Sequence, residues 1–158
     1  KSRHAFLKEE ETVNARLSAG EEPPFAIAVC DLNGLKKVND SLGHKVGDER
    51  ITGAADVLND TFKDIGRCYR TGGDEFVVLD ESSSREKIAA NFASFDQHVA
   101  AINADNPAYK EPLAVSKGAA VFDHLLDKDF KTLFARADEA MYACKAEYYR
   151  THGDRRRR

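Results

Sequence analysis

One short segment, FAIAVCDL at residues 25–32, restricts the fold of this chain more than any other feature. The segment is almost entirely apolar, includes β-branched residues, follows two prolines and leads into a polar loop. This pattern is typical of a strand that is buried on both faces of a sheet. Because such a strand needs a covering layer on each side, we predict a sheet with helices packed against it.

The length and composition of the chain limit what can surround this strand. The chain has 158 residues, of which 42% are hydrophobic and 32% are charged, as expected for one globular domain. A net charge of −3 provides no general attraction to nucleic acid or to an anionic membrane. The longest apolar run is far shorter than the roughly 18 residues of a membrane span. We therefore predict a single domain that contacts neither nucleic acid nor membrane.

The three cysteines, Cys30, Cys68 and Cys144, are odd in number and have no Cys-x-x-Cys spacing. A disulfide framework and a cysteine-based zinc site are therefore both disfavoured. We interpret the cysteines as reduced and mostly buried thiols, which predicts a cytoplasmic location.

Apolar residues at helical spacing and short apolar runs bounded by turn residues predict the other elements. The predicted order is helix 6–17, strand 25–32, a helix that starts at Gly47 or Asp48 and reaches residue 65, two strands within 66–80, helix 84–104, strand 111–123 and helix 130–148. The apolar stripe of the last helix includes Cys144. Residues 151–158, which end in four arginines, are predicted to be a disordered basic tail.

Three carboxylates fall at the ends of predicted strands. Asp31 ends the buried strand, and Asp74 and Glu75 follow the glycine pair Gly72-Gly73 in a predicted hairpin turn. If the two strands are neighbours, the three charges converge, which is unfavourable unless a cation neutralises them. Oxygen ligands without nearby His or Cys favour Mg²⁺ or Mn²⁺. The alternative is that Asp31 caps a loop and the other two are ordinary polar turn residues.

The polar segment after the buried strand contains groups that suit a nucleotide. Gly34 allows backbone N–H groups to approach a phosphate closely, and Lys36 adds positive charge. An amide at Asn39 and a carboxylate at Asp48 match the acceptors and donors of guanine. The structural alternatives are that Asn39 is a turn residue, that Asp48 caps a helix, and that His44 packs or caps instead of binding substrate.

These residues form a pattern that resembles one bacterial family. RTGGDEF at 70–76 resembles the signature of GGDEF domains, the diguanylate cyclases. DLNGLKKVND at 31–40 and GHKVGD at 43–48 resemble motifs that the family places upstream of that signature. SKG at 116–118 and ADEAMYACK at 137–145 resemble its later strand and its closing helix, so the resemblance covers nearly the whole chain.

The resemblance implies an α+β fold with a central, largely antiparallel five-stranded sheet wrapped by helices, similar to nucleotide cyclases and polymerase palms. It implies that two GTP molecules are joined into cyclic di-GMP with release of two pyrophosphates. Each protomer would hold one GTP, so a homodimer is needed for catalysis. Residues 1–150 would be the catalytic domain, truncated at its N-terminus, and the missing region would sense a signal or drive dimerisation.

The resemblance also implies the roles of individual residues. Two Mg²⁺ ions would be held by Asp31, the carbonyl of Leu32, and the Asp74/Glu75 pair. Catalytic roles fall to Asp74 or Glu75 as the proton acceptor and to Lys36 at the phosphates. The residues implied to bind the substrate are Asn39, His44, Asp48, Gly72, Gly73 and Lys145.

The chain departs from the family pattern at a few positions. Asn33 replaces a second acid and Leu35 replaces a phenylalanine in the first motif. Tyr149 stands four positions after Lys145, where the pattern has a basic residue. A catalytically silent GGDEF-like domain, which binds GTP or a protein partner as a regulatory module, is therefore the alternative function. An adenylyl cyclase-like enzyme is disfavoured, because Asp48 suits guanine and not adenine.

Overall fold

The computed structural model describes residues 1–22, 24–64, 66–81, 84–107 and 111–153. In chain order the helices and strands are α1 (Arg3–Ser18), β1 (Ala26–Leu32), α2 (Leu35–Leu42), α3 (His44–Phe62), β2 (Gly66–Arg70), β3 (Glu75–Asp80), α4 (Arg85–Asp105), β4 (Val115–Val121) and α5 (Phe130–His152). No helix in these ranges is long and apolar enough to cross a membrane.

The strands form one antiparallel sheet in the order β2-β3-β1-β4. All seven residues of β1 are buried, which confirms the prediction of a central strand covered on both faces. The α+β class with an antiparallel sheet is also confirmed, although the described residues form four strands instead of five. Beyond β2, the backbone of Lys1 takes the edge position through hydrogen bonds with Cys68 and Arg70.

The two faces of the sheet contact different helices, because successive residues of a strand point to opposite sides. Ile27 and Val29 of β1 pack with α1 and α5 on one face. Ala28, Cys30 and Leu32 pack with α3 and α4 on the other face. Asp31 continues the series of Ile27 and Val29, so its side chain lies on the α5 face, at the end of the strand.

The buried face of α5 differs from the predicted one by one residue. Leu133, Ala137, Met141 and Lys145 are buried at intervals of four residues, whereas Cys144 is exposed. A spacing of four keeps side chains on one side of a helix, and Lys145 occupies the position at which the stripe reaches the polar end of β1. The apolar stripe of α5 thus leads directly to a buried charge.

Gly118 of β4 allows α5 to lie directly on the sheet. A Cβ atom at this position would be 2.1 Å from the backbone nitrogen of Met141 and 2.6 Å from the carbonyl oxygen of Ala137. The close approach therefore depends on the absence of a side chain. It also determines where Lys145, one turn beyond Met141, meets the sheet.

The region between β1 and β2 begins with a helix that the sequence pattern did not predict. Leu35, Val38 and Leu42 of α2 follow one another at spacings of three and four residues, a short apolar stripe of which only Val38 is buried. Gly43, at a φ of 89°, joins α2 to α3. Helix α3 therefore begins at His44, and the predicted start at Gly47 or Asp48 is wrong by one turn.

Several predictions fall on residues outside the described ranges. One of the two prolines before the buried strand, Pro23, lies outside these ranges, and so does residue 65, the predicted end of the helix that corresponds to α3. Helix α5 continues to His152, two residues into the predicted tail, and residues 154–158 lie outside the described part of the chain.

The cysteines should differ strongly in reactivity. Burial raises the pKa of Cys30 to about 12 and that of Cys68 to about 11, whereas Cys144 is exposed. Because the thiolate is the reactive species, we expect a colorimetric disulfide reagent to titrate only one thiol in the folded protein and all three after denaturation. Replacing Cys144 with Ser should remove the fast reaction, and rapid reaction of two thiols in that variant would contradict the placement of Cys30 and Cys68.

Candidate active site

The pairing of β1 with β3 brings together the carboxylates that the sequence analysis selected. Asp31 lies directly opposite Glu75, and the N–H of Leu32 donates to the carbonyl oxygen of Asp74 at 3.0 Å. On its other side Asp31 lies opposite Ser116 of β4. Directly opposed residues project to the same face of a sheet, so Asp31 and Glu75 share the face covered by α5.

Asp31 is a buried carboxylate with an uneven set of contacts. One oxygen, Oδ2, accepts a hydrogen bond from Nζ of Lys145 at 2.8 Å. No hydrogen bond from the described residues reaches the buried Oδ1 atom. Burial raises the pKa of Asp31, Lys145 acts in the opposite direction, and the nearby Asp74 carboxylate raises it again. Asp31 and Asp74 thus place two acidic groups opposite the single ammonium of Lys145, an arrangement that a further cation would stabilise.

The turn between β2 and β3 is held by side chains of the signature segment. Oγ1 of Thr71 donates to Oε1 of Glu75 at 2.8 Å. The guanidinium of Arg70 donates to the carbonyl oxygens of Gly72 at 3.2 Å and Gly73 at 2.9 Å. The predicted hairpin turn is present, and its four-residue loop at 71–74 closes without positive φ at either glycine.

The carboxylate oxygens of this region suit a divalent cation, although their side chains do not surround a common point at which a metal could bind. Within the described ranges, no group of three or more His, Cys, Asp or Glu side chains is placed to hold a metal. In this structure the ammonium of Lys145 supplies the positive charge at Asp31. The buried Oδ1 of Asp31 and the adjacent Asp74 carboxylate provide hard oxygen donors of the kind that Mg²⁺ prefers.

The loop after β1 leads into the N-terminus of α2 beside these carboxylates, and its N–H groups at Asn33 and Gly34 are hydrogen-bonded within the protein. Gly34 has a φ of 69°, a left-handed conformation that favours glycine, and it immediately precedes α2. Its N–H donates to the hydroxyl of Tyr149 at 3.1 Å. Asn33, at the position of the second acid, instead accepts a hydrogen bond from Oγ of Ser116 at 2.9 Å. Lys36 is exposed on the first turn of α2.

The residues assigned to guanine lie where α2 meets α3. The side chain of Asn39 rests on Gly47, since a Cβ atom there would be 1.8 Å from Oδ1 of Asn39. Asp48 follows Gly47 in α3 and is exposed, as is His44 at the start of that helix. Asp48 is therefore not the helix cap that the structural alternative required, because the cap position belongs to Gly43.

Three contacts of this site were not predicted, although their residues lie in or beside motifs noted in the sequence. Gly47 shapes the position of Asn39, Ser116 binds Asn33, and Tyr149 binds Gly34. The GxxxGD spacing at residues 43–48 was a usable signal for Gly47, because it places a glycine on the first turn of α3. The other two contacts join residues 83 and 115 positions apart, which no local pattern indicates.

Comparison with known families agrees with this arrangement. Residues 1–150 match the family described as "Diguanylate cyclase, GGDEF domain". The chain belongs to the GGDEF family. The RTGGDEF segment at 70–76 therefore forms the signature turn of the family, and it lies beside Asp31 as the pairing of β1 and β3 requires.

Individual relatives of this GGDEF domain include two from Escherichia coli strain K12. The probable diguanylate cyclase DgcT is 28% identical over 147 residues, covering 91% of this chain and 31% of DgcT. The diguanylate cyclase DosC is 32% identical over 127 residues, covering 77% of this chain and 26% of DosC. The chain thus spans about a third or less of the length of these two relatives.

Solved structures show the same fold. The GGDEF domain of DgcB from Caulobacter crescentus, in complex with c-di-GMP, superposes with a TM-score of 0.74 at 24% identity. The match covers 92% of this chain and 85% of that one. At this level of identity the comparison establishes the architecture, and the activity rests on the residues of the site.

Proposed function

We propose that this GGDEF domain is the catalytic domain of a diguanylate cyclase, which joins two GTP molecules into cyclic di-GMP. The observation that carries the proposal is the placement of Asp31 beside Asp74 and Glu75, with one buried Asp31 oxygen that accepts no hydrogen bond from the described residues. Clustered carboxylates beside the N-terminus of a helix suit a metal-bound triphosphate.

The proposed reaction is a nucleotidyl transfer that occurs twice. The 3′-oxygen of one GTP forms a bond to the α-phosphorus of the other, and the bond from that phosphorus to the pyrophosphate oxygen breaks. The proton of the 3′-hydroxyl passes to Asp74 or Glu75, and pyrophosphate leaves with the bonding electron pair. Repetition with the roles exchanged closes the ring and releases the second pyrophosphate.

We assign the remaining groups of the site to binding and charge stabilisation. Asp31, the carbonyl of Leu32 and the Asp74/Glu75 pair would hold two Mg²⁺ or Mn²⁺ ions. Such ions neutralise charge on the phosphates and lower the pKa of a bound hydroxyl. Lys36 would contact phosphate oxygens, and Lys145 holds Asp31 in place in this structure. Gly72 and Gly73 keep the signature turn narrow enough for the triphosphate to approach.

The proposed partners follow from the stoichiometry of the reaction. Each domain holds one GTP, so two copies must face each other, and a homodimer is the proposed active unit. A further region of the protein would bring the two copies together in response to a signal. The cytoplasmic location stays a prediction from the cysteines.

A catalytically silent regulatory module is the second candidate, and specific contacts favour it. Lys145 already neutralises Asp31, and the hydroxyl of Tyr149 already accepts from Gly34. Two groups that would bind the substrate complex are therefore satisfied within the protein itself. A domain of this kind could bind GTP weakly or pass a signal to a partner without turnover.

Forced dimerisation separates the two candidates. The 158-residue chain would be fused to a parallel coiled coil and incubated with GTP and Mg²⁺. We expect pyrophosphate release and formation of cyclic di-GMP, both dependent on Mg²⁺. The unfused chain is the matched control, and it should be much less active at low protein concentration. Binding of GTP by the fused chain without pyrophosphate release would support the silent module instead.

Asp48 should determine the preference for guanine. Asp48→Ala removes the carboxylate that would accept hydrogen bonds from the base, so we expect discrimination between GTP and ATP to fall by about 1–3 kcal/mol. The measurement is the ratio of turnover or affinity for the two nucleotides. The adjacent, exposed Glu49 provides the control, and Glu49→Ala should leave the ratio unchanged. Unchanged discrimination in Asp48→Ala would remove this residue from the site.

A further inference from the structure

The contact between Tyr149 and Gly34 also has a consequence for nucleotide binding by an active domain. The N–H of Gly34 donates to the Tyr149 hydroxyl at 3.1 Å, across 115 residues of sequence. Gly34 lies in the two-residue loop between the end of β1 at Leu32 and the start of α2. Tyr149 lies in the last turns of α5. The contact therefore joins the C-terminal helix to the loop proposed to bind phosphate.

Tyr149 acts beside a second contact of the same helix. Lys145 is one turn earlier, on the same face of α5, and its ammonium donates to Oδ2 of Asp31 at 2.8 Å. In each contact, a side chain of α5 takes the position proposed for a part of the substrate complex. The ammonium of Lys145 lies at Asp31, which is proposed to bind metal. The hydroxyl oxygen of Tyr149 lies at the N–H of Gly34, which is proposed to bind phosphate.

We propose that the hydroxyl of Tyr149 is an internal competitor for the triphosphate, which occupies the Gly34 N–H until a phosphate oxygen displaces it. The inference rests on the proposed function, because it takes the Gly34 loop as the phosphate site. Tyr149 would then weaken nucleotide binding instead of contributing to it. A higher concentration of GTP would be needed to occupy half of the nucleotide sites.

The difference in acceptor strength allows the exchange to occur. A phosphate oxygen is a charged acceptor and forms a stronger hydrogen bond with a backbone N–H than a neutral phenol does. A phosphate oxygen therefore displaces the Tyr149 hydroxyl from the Gly34 N–H. The net free energy of binding is smaller by the free energy of the hydrogen bond that is broken. A neutral hydrogen bond of this kind corresponds to about a two- to tenfold change in affinity.

Tyr149→Phe isolates this effect. The substitution removes the hydroxyl but keeps the ring, which packs edge-on against Tyr148 with centroids 5.2 Å apart. The matched control is Tyr142→Phe, which deletes the same atom from an exposed tyrosine of the same helix. Affinities would be measured calorimetrically for two probes with Mg²⁺, a non-hydrolysable GTP analogue and inorganic tripolyphosphate. Hydrogen exchange of the Gly34 amide would be measured by NMR without ligand.

For Tyr149→Phe we expect both probes to bind about two- to tenfold more tightly and the Gly34 amide to exchange faster than in the wild type. Tyr142→Phe should match the wild type in all three measurements. The inference is overturned if the wild type binds the probes and Tyr149→Phe binds them equally or more weakly, or if Gly34 exchange is unchanged. If neither protein binds either probe, the proposed function fails and the inference fails with it.

Discussion

Asp31→Asn should reduce the turnover of the forced dimer by at least about a hundredfold, because loss of a direct metal ligand should cost more than the roughly 10- to 100-fold that loss of an outer-shell partner costs. The amide lacks the negative charge that a divalent cation needs, whereas its oxygen can still accept from Lys145. Because Lys145 is buried and loses its charged partner, the variant should also be less stable by about 3–5 kcal/mol, so turnover is compared at a temperature at which both proteins are folded. We would measure pyrophosphate release together with thermal unfolding of the same preparation.

A second aspartate–lysine pair provides the control for this substitution. Asp96 accepts from Lys117 at 2.6 Å on the opposite side of the sheet, and its side chain is largely exposed. Asp96→Asn makes the same chemical change away from the site and should leave turnover intact. Normal turnover in Asp31→Asn would exclude Asp31 from the proposed metal site. An equal loss of turnover in Asp31→Asn and Asp96→Asn would indicate a general effect on the fold.

Gly118→Ala should destabilise the domain by about 3 kcal/mol or more, because the added methyl group meets the backbone of α5. The nearest atom, the nitrogen of Met141, would be 2.1 Å from the new Cβ atom, and a backbone atom cannot move aside by changing a rotamer. Relief requires α5 to move away from β4, which also shifts Lys145 relative to Asp31. Chemical denaturation gives the change in stability directly.

A glycine in open space provides the comparison for Gly118. Gly53 lies inside α3, and a Cβ atom there would contact nothing within 4 Å. Gly53→Ala should stabilise the domain by about 0.4–1 kcal/mol, since alanine restricts the unfolded chain and favours a helix. If Gly118→Ala were as well tolerated as Gly53→Ala, the close packing of α5 on the sheet would be wrong.

The elements of the fold that could be predicted from the sequence are those whose buried residues form a clear apolar run or a regular apolar spacing. The strand at residues 25–32 was recognised because it is apolar throughout, and it is the central strand of the sheet. Helix α2 was not recognised although Leu35, Val38 and Leu42 have helical spacing, because the stripe spans only eight residues between two glycines and was interpreted as a polar loop. The start of α3 was misplaced because Gly43, which determines it, resembles any other loop glycine in the sequence.

The candidate site was predictable where each residue has a local signal in the sequence, and less so where only the fold shows which residues meet. Asp31, Asp74 and Glu75 could be selected as a group because each lies at the end of a predicted strand. Periodicity alone assigned Cys144 to the buried stripe of α5, since a lysine is rarely buried without a partner. The partner of Lys145 is Asp31, 114 residues earlier, and that contact exists only in the folded chain.

The most direct test of the proposed metal and triphosphate site is anomalous diffraction from crystals grown with Mn²⁺ and a non-hydrolysable GTP analogue. The account predicts manganese peaks between Asp31 and the Asp74/Glu75 turn, with the triphosphate over the Gly34 loop and the base between Asn39 and Asp48. Manganese bound elsewhere, or an ordered analogue that leaves Lys145 alone on Asp31 with no metal beside it, would contradict the account.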